Sequence, residues 1–182
     1  MIYITSDFHL NHNKDFIYKA RGFNTVEEMN FELIKRYNQI VSPEDTVYIL
    51  GDCILGEVEN VAMLAALNGH KILIAGNHDT DNRIAAYDKA RIFECSRLAT
   101  RFRYRGYSFY LSHYPTLTAN YDDKNLKHMT INLCGHMHTT DPFYHIRMGI
   151  MSYHVEVDAH NLQPISLDDI IKNIKEYKAN NV

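Results

Sequence analysis

Ile2-Tyr-Ile-Thr-Ser-Asp7-Phe-His9 opens the chain with a short apolar run that ends directly on an acid and a histidine. The same arrangement returns four more times. Thr46-Val-Tyr-Ile-Leu50 leads into Gly51-Asp52, and Lys71-Ile-Leu-Ile-Ala75 into Gly76-Asn77-His78-Asp79. Tyr107-Ser-Phe-Tyr-Leu111 leads into Ser112-His113, and Thr130-Ile-Asn-Leu-Cys134 into Gly135-His136-Met-His138. Short β-rich runs bounded by Gly, Asn and Asp read as mostly buried strands. Five strand ends bearing Asp, His and Asn, gathered at one edge of a sheet, would concentrate donors suited to metals of intermediate softness.

Between these runs lie amphipathic stretches. Thr25-Val-Glu-Glu28 has the form of a capping box, followed by Met29, Leu33, Ile34 and Tyr37 at helical spacing. Val61, Leu64 and Leu67 suggest a second helix ending at Asn68-Gly69, and a third starts near Asp81. Ser166-Leu-Asp-Asp169 caps a last one, with Ile170, Ile171, Ile174 and Tyr177 on its apolar face. Arg101-Phe-Arg-Tyr-Arg105 turns at Gly106 into the next run as a hairpin. On a strand its arginines share one face and its aromatics the other, so an amphipathic hairpin outranks a nucleic-acid-binding strand. Early βα alternation followed by later hairpins predicts an α/β protein with mixed sheets covered by helices.

The bulk properties bound the function. At 182 residues, 46% of them hydrophobic and 23% charged, the chain reads as one globular domain over residues 1–182. A net charge of −3 without a Lys/Arg block argues against extended duplex nucleic acid as a partner. The N-terminus has no signal-peptide character, and the run from Val61 to Leu67 is too short to cross a bilayer, so no membrane partner is expected. Cys53, Cys95 and Cys134, odd in number and unpatterned, read as reduced thiols of a cytoplasmic protein.

Hydrolysing a phosphate ester at neutral pH needs an activated water and neutralisation of the phosphoryl oxygens. Two divalent ions about 3.5–4 Å apart provide both, with a carboxylate bridging them. The five clusters, in order from Asp7 to His138, closely resemble the D-x-H, G-D, G-N-H-[DE], H and G-H-x-H signature of the calcineurin-like metallophosphoesterase superfamily, small bacterial or phage members in particular. That resemblance implies two mixed β-sheets packed as a sandwich and flanked by helices. It implies a first ion held by Asp7, His9, Asp52 and His138, and a second held by Asp52, Asn77, His113 and His136. His78 would stay off the metals, contact the phosphate and protonate the leaving oxygen, with Asp79 as partner of its imidazole. Manganese ranks first as the ion, and iron, zinc or nickel also fit this ligand chemistry.

The chain departs from the phosphoprotein phosphatase branch: Cys53-Ile-Leu-Gly56 follows Asp52 and Ala75 precedes Gly76, so both phosphate-gripping arginines are missing there. The implied activity is hydrolysis of a small phosphate ester by a hydroxide bridging two metals. Phosphodiesters, of cyclic-nucleotide or nucleic-acid origin, rank above monoesters. A phosphomonoesterase of the same fold and a non-catalytic scaffold are the alternatives; the scaffold is disfavoured because every ligand position and His78 are chemically competent.

Other residues carry bland readings beside sharp ones. His12, three residues beyond His9, reads equally as a substrate contact and as an exposed loop histidine. Arg21 could replace the missing phosphate-binding cation, although a surface salt bridge is the stronger reading. A structural zinc site on Cys134, His136 and His138 lacks the paired thiolates such sites prefer. His145, His154 and His160, in the later hairpin region, match no metal motif and read as structural or surface residues.

Overall fold

The computed structural model describes residues 1–121 and 123–181. Its first sheet has the order β4-β3-β2-β1-β9, from Cys95–Arg97 (β4), His70–Ile74 (β3), Thr46–Ile49 (β2), Ile2–Thr5 (β1) and Ile165–Ser166 (β9). The first four strands run parallel, and β9 runs antiparallel to β1. Because each parallel strand is added on the same side of its predecessor, right-handed crossovers put all three connections on one face. That face is covered by α2 (Val26–Ile40), a 3₁₀ segment (Val58–Ala66) and α3 (Asp81–Lys89). Met29, Leu33 and Tyr37 of α2 and Tyr87 of α3 are buried in one core with Tyr3, Val47, Ile49 and Leu73 of the sheet.

The second sheet, order β5-β6-β7-β8, joins Ala99–Tyr104 (β5), Tyr107–Ser112 (β6), Thr130–Cys134 (β7) and Ser152–His154 (β8). Ile4, Leu50 and Ile74 on the other face of the first sheet pack against Phe109, Leu111, Ile131, Leu133 and Tyr153. The last helix, α5 (Leu167–Asn181), adds Leu167, Ile170, Ile171 and Ile174 to this inter-sheet core. Two mixed sheets flanked by helices are therefore what the chain builds.

Two expectations change. Val61, Leu64 and Leu67 are buried as foreseen, but their spacing of three suits the three-residue turn of a 3₁₀ helix better than an α-helix, and the segment is 3₁₀. Among the described residues only β5 and β6 form a hairpin; β6, β7 and β8 are parallel to one another, so their connections are crossovers rather than hairpins. In the one hairpin, both turn residues have positive φ, +49° at Arg105 and +84° at Gly106, which matches the right-handed twist of the flanking strands. Two short helices, Asp15–Tyr18 (α1) and Tyr144–Arg147 (α4), were not foreseen.

The site depends on one further link. Beyond the strands proper, Ser6 pairs in parallel with Glu156, so the continuations of β1 and β8 run side by side. The parallel strands of both sheets therefore point the same way, and their C-terminal ends open on a single edge. Among the described residues, no helix is long and apolar enough to cross a membrane.

Candidate metal centre

Every cluster singled out in the sequence lies on that edge, just past β1, β2, β3, β6 or β7. The loops after β1 and β2 stay bonded beyond the strands: the Asp7 amide donates to Gly51 O at 3.0 Å and the His9 amide to Asp52 O at 3.0 Å. Asp7, His9, Asp52, His136 and His138 all have positive φ, between +49° and +76°. This backbone region costs a non-glycine residue about 1–2 kcal/mol. Such strain persists only where the surroundings over-determine it, and it clusters at functional sites.

The side-chain donors fall into two sets. In the first, His9 Nε2 and His138 Nε2 are 3.1 Å apart, and Asp7 Oδ1 lies 3.8 and 3.7 Å from them. In the second, Asn77 Oδ1 is 3.0 Å from both His113 Nε2 and His136 Nδ1, which are themselves 3.2 Å apart. Asp52 Oδ2 stands between the sets, 3.4 Å from His9 Nε2 and 3.7 Å from His113 Nε2. Donors bound to one ion at about 2.0–2.2 Å are roughly 3–3.5 Å apart; the second set and the His9–His138 pair have that spacing, and Asp7 Oδ1 stands a little further out. Asp7 Oδ1 is buried without any hydrogen-bond partner, an arrangement a cation would satisfy. The residues fit divalent metal ions, with the Asp52 carboxylate standing between the two sets.

The atoms behind the donors hold them in place. His113 Nδ1 bonds the carbonyl of Leu50 at 2.8 Å and His138 Nδ1 bonds Asp158 Oδ2 at 3.2 Å, which leaves each Nε2 free to face an ion. His9 Nδ1 meets His12 Nδ1 at 3.1 Å. Burial first, then the nearby His9, His78 and His138, lower the His12 pKa to about 4, so its ring is neutral and can accept this bond. Burial would raise the Asp52 carboxyl, but hydrogen bonds from the His9 side chain and the His78 amide outweigh it and bring the pKa to about 2. Burial, then the neighbouring His113, lowers His136 and favours the neutral ring that metal binding requires.

Glycine is needed where these loops touch. A Cβ at Gly135 would run into Asp7 Oδ2 and Ser6 Oγ. At Gly51, whose φ is +86°, it would collide with Gly76 and stand 2.8 Å from His113 Nδ1.

Two sequence expectations are corrected. The Asp79 carboxylate does not partner the imidazole of His78. It accepts from the amides of Asp52 at 2.8 Å, Cys53 at 3.3 Å and Gly76 at 2.9 Å, and from Tyr87 Oη at 3.0 Å. These bonds satisfy the buried carboxylate and tie the loops after β2 and β3 together. Arg21 is neither a phosphate grip nor a surface residue. Its side chain is 3% exposed, doubly bonded to Asp158 at 2.8 and 2.9 Å, and it donates to the carbonyls of Phe8 and Asp7 at 2.7 Å each. Chain separation hid this: Asp158 is remote in sequence, and nothing near Arg21 announces its partner.

His78 sits at the mouth with its side chain 40% exposed and Nε2 3.9 Å from Asp52 Oδ2, while its amide donates to Asp52 Oδ1 at 2.9 Å. Cys134 Sγ turns away from the two histidines of its loop toward Tyr153 O, 3.8 Å away. His145 and His154 pack ring on ring, and His154 bonds Glu156, whose Oε1 also takes the Met137 amide at 3.2 Å. His160 donates to the carbonyl of His154.

Asp158 and Glu156, which brace the Gly135–His138 loop and its neighbours, were missed in the sequence. Val155-Glu-Val-Asp158 alternates apolar and acidic residues just after β8 and is a strand-end cluster like the other five. Burial alone would raise the Asp158 carboxyl; His138 and Arg21 overcome that and hold it well below the usual carboxylate range.

The chain is 36% identical over 184 residues to an uncharacterized protein of Methanocaldococcus jannaschii, covering 97% of this chain and 93% of that one. It is 34% identical over 82 residues to the gene 66 protein of Mycobacterium phage L5, covering 42% of this chain and 39% of the phage protein. A solved protein of unknown function from Aquifex aeolicus has the same fold, with a TM-score of 0.72 at 23% identity over 94% of this chain and 98% of that one. Residues 1–151 match the calcineurin-like phosphoesterase superfamily domain, a span that takes in all five clusters and both donor sets. The chain belongs to the calcineurin-like phosphoesterase superfamily.

Proposed function

We propose that this hydrolase is a phosphodiesterase whose substrate phosphate lies across the two donor sets. The observation that carries the reading is Asp52, with one oxygen facing both sets and His78 beside it. Two divalent ions, manganese first among them, would supply an activated water and neutralise the phosphoryl oxygens. Around them, Asp7, His9 and His138 would hold one ion, Asn77, His113 and His136 the other, and Asp52 both. His78 Nε2 would donate a proton to the departing oxygen.

The preference for diesters rests on charge. Arg21 is locked behind the centre, and Arg83 donates to the carbonyls of His78 at 2.6 Å and Gly56 at 3.1 Å. A monoester dianion would find no spare arginine at the mouth among the described residues, whereas a diester carries one charge fewer. The buried free thiols Cys53 and Cys134 suit a reducing cytoplasm, where we place the reaction.

The test is hydrolysis of bis-p-nitrophenyl phosphate and p-nitrophenyl phosphate by the purified full chain with manganese. The diester should be turned over with the higher kcat/KM, and Asp52→Asn should abolish both activities. A higher kcat/KM for the monoester, or no hydrolysis of either, would contradict the assignment.

A further inference from the structure

Two large aromatic rings stand exposed beside the metal centre, one next to each donor set. Phe16, 70% exposed, packs edge-on against His12 with ring centres 5.6 Å apart, and His12 bonds His9 of the first set. Tyr114, 50% exposed, packs edge-on against His136 at 4.7 Å and His113 at 5.0 Å, both of the second set. Neither ring belongs to either buried core, so packing does not account for them. Contacts run in an unbroken row from Phe16 through His12, His9, Asp52 and His113 to Tyr114.

A phosphate held over Asp52 Oδ2 therefore has one exposed aromatic ring toward each donor set. The two ester arms of a phosphodiester leave phosphorus in different directions, and each would pass over one of these rings. Nucleobases stack on such rings without needing a particular sequence, because every base has a π-face. The arms can also be distinguished. His78 lies on the Phe16 side, its ring 5.3 Å from His9 and 6.3 Å from His12. The arm that receives the proton is thus the one beside Phe16.

We infer that Phe16 and Tyr114 are two nucleobase subsites, Phe16 for the leaving nucleoside and Tyr114 for the nucleoside that keeps the phosphate. The substrate class is then a phosphodiester carrying a base on both arms, as in a dinucleotide or the end of a single strand, rather than a cyclic mononucleotide. This rests on the phosphodiesterase reading above.

Two measurements on the manganese-loaded full chain test it. The first is kcat/KM for the deoxydinucleotide d(ApA) and for its two abasic analogues, each lacking one base; the products identify the leaving nucleoside. The preference for d(ApA) over the analogue without the leaving-side base should fall about five- to a hundredfold in Phe16→Ala and return in Phe16→Trp. Tyr114→Ala should do the same for the other analogue, and Tyr114→Phe should restore it. The second is fluorescence of 2-aminopurine in a non-hydrolysable methylenephosphonate dinucleotide, quenched on stacking, with each position losing its quench in the corresponding alanine variant. Equal hydrolysis of all three substrates by the wild type, or equal losses on all three in the variants, would overturn the subsites and leave the phosphodiesterase reading standing. Position-specific quenching without any turnover would do the reverse.

Discussion

Asp158 shows how a single carboxylate can act on the donor sets from behind them. It accepts a hydrogen bond from His138 Nδ1 and two from Arg21, and Arg21 in turn donates to the carbonyls of Asp7 and Phe8. Partners of this kind fix the orientation and basicity of a ligating imidazole, and their loss costs about ten- to a hundredfold in metal affinity. Asp158→Asn, which keeps the size and removes the charge, should weaken manganese binding by that factor while the chain stays folded. Calorimetric titration checks this, and affinity within twofold of wild type would contradict it. His78 has a different signature. Its imidazole lies at the mouth, so His78→Ala should retain both ions and lose about a hundred- to ten-thousandfold on nucleoside esters, but far less on nitrophenyl esters whose leaving group needs no proton. Rates across leaving groups of graded pKa decide the matter; a uniform loss along the series would leave His78 as a phosphate contact only.

The helices show local signals at work. At α5, Ser166 Oγ accepts the Asp169 amide at 3.1 Å and donates to the Asp169 carboxylate at 2.6 Å, so one side chain caps the helix that completes the inter-sheet core. Ser166→Ala should cost about 1 kcal/mol, read as a lower urea midpoint with an unchanged slope; an unchanged midpoint would show that the cap contributes nothing. At α2 the box is offset by one residue. Thr25 Oγ1 accepts the Glu28 amide at 3.2 Å, and Glu28 reaches back to the amide of Asn24 at 2.9 Å. Caps and apolar spacing were legible because they involve residues within one turn. The 3₁₀ segment was misread because a spacing of three fits both helix types over so short a stretch. The hairpin region was misread because strand direction depends on partners, not on the strand's own residues.

At the scale of the molecule, the centre gathers two carboxylates, an amide and four imidazoles at one edge of the sandwich, with Asp7 Oδ1 buried and unpaired. Ions that bind only the folded chain stabilise it by mass action, about 2.7 kcal/mol at a free concentration of 100 Kd. For a domain of this size that corresponds to a Tm higher by roughly 5–10 °C, so chelation should lower Tm and added manganese restore it. Scanning calorimetry with chelator and then excess metal is the check; one Tm in all conditions would mean that no ion is held. The family, the sheet strands that carry the clusters and the fact that those clusters come together could be read from the chain, because each motif is a short run whose chemistry lies in its own side chains. What only the tertiary structure decided is how distant segments meet. Arg21 and Asp158 lie 137 positions apart and are joined by a buried ion pair. The Asp79 carboxylate bonds the amides of Asp52 and Cys53 in a neighbouring loop and of Gly76 in its own, not the His78 ring. Positive φ at Asp7, His9, Asp52, His136 and His138 is only a weak tendency of Asp and His in the sequence; here it accompanies the meeting of the ends of two sheets, where Asp52 Oδ2 comes to stand between the two sets of donors.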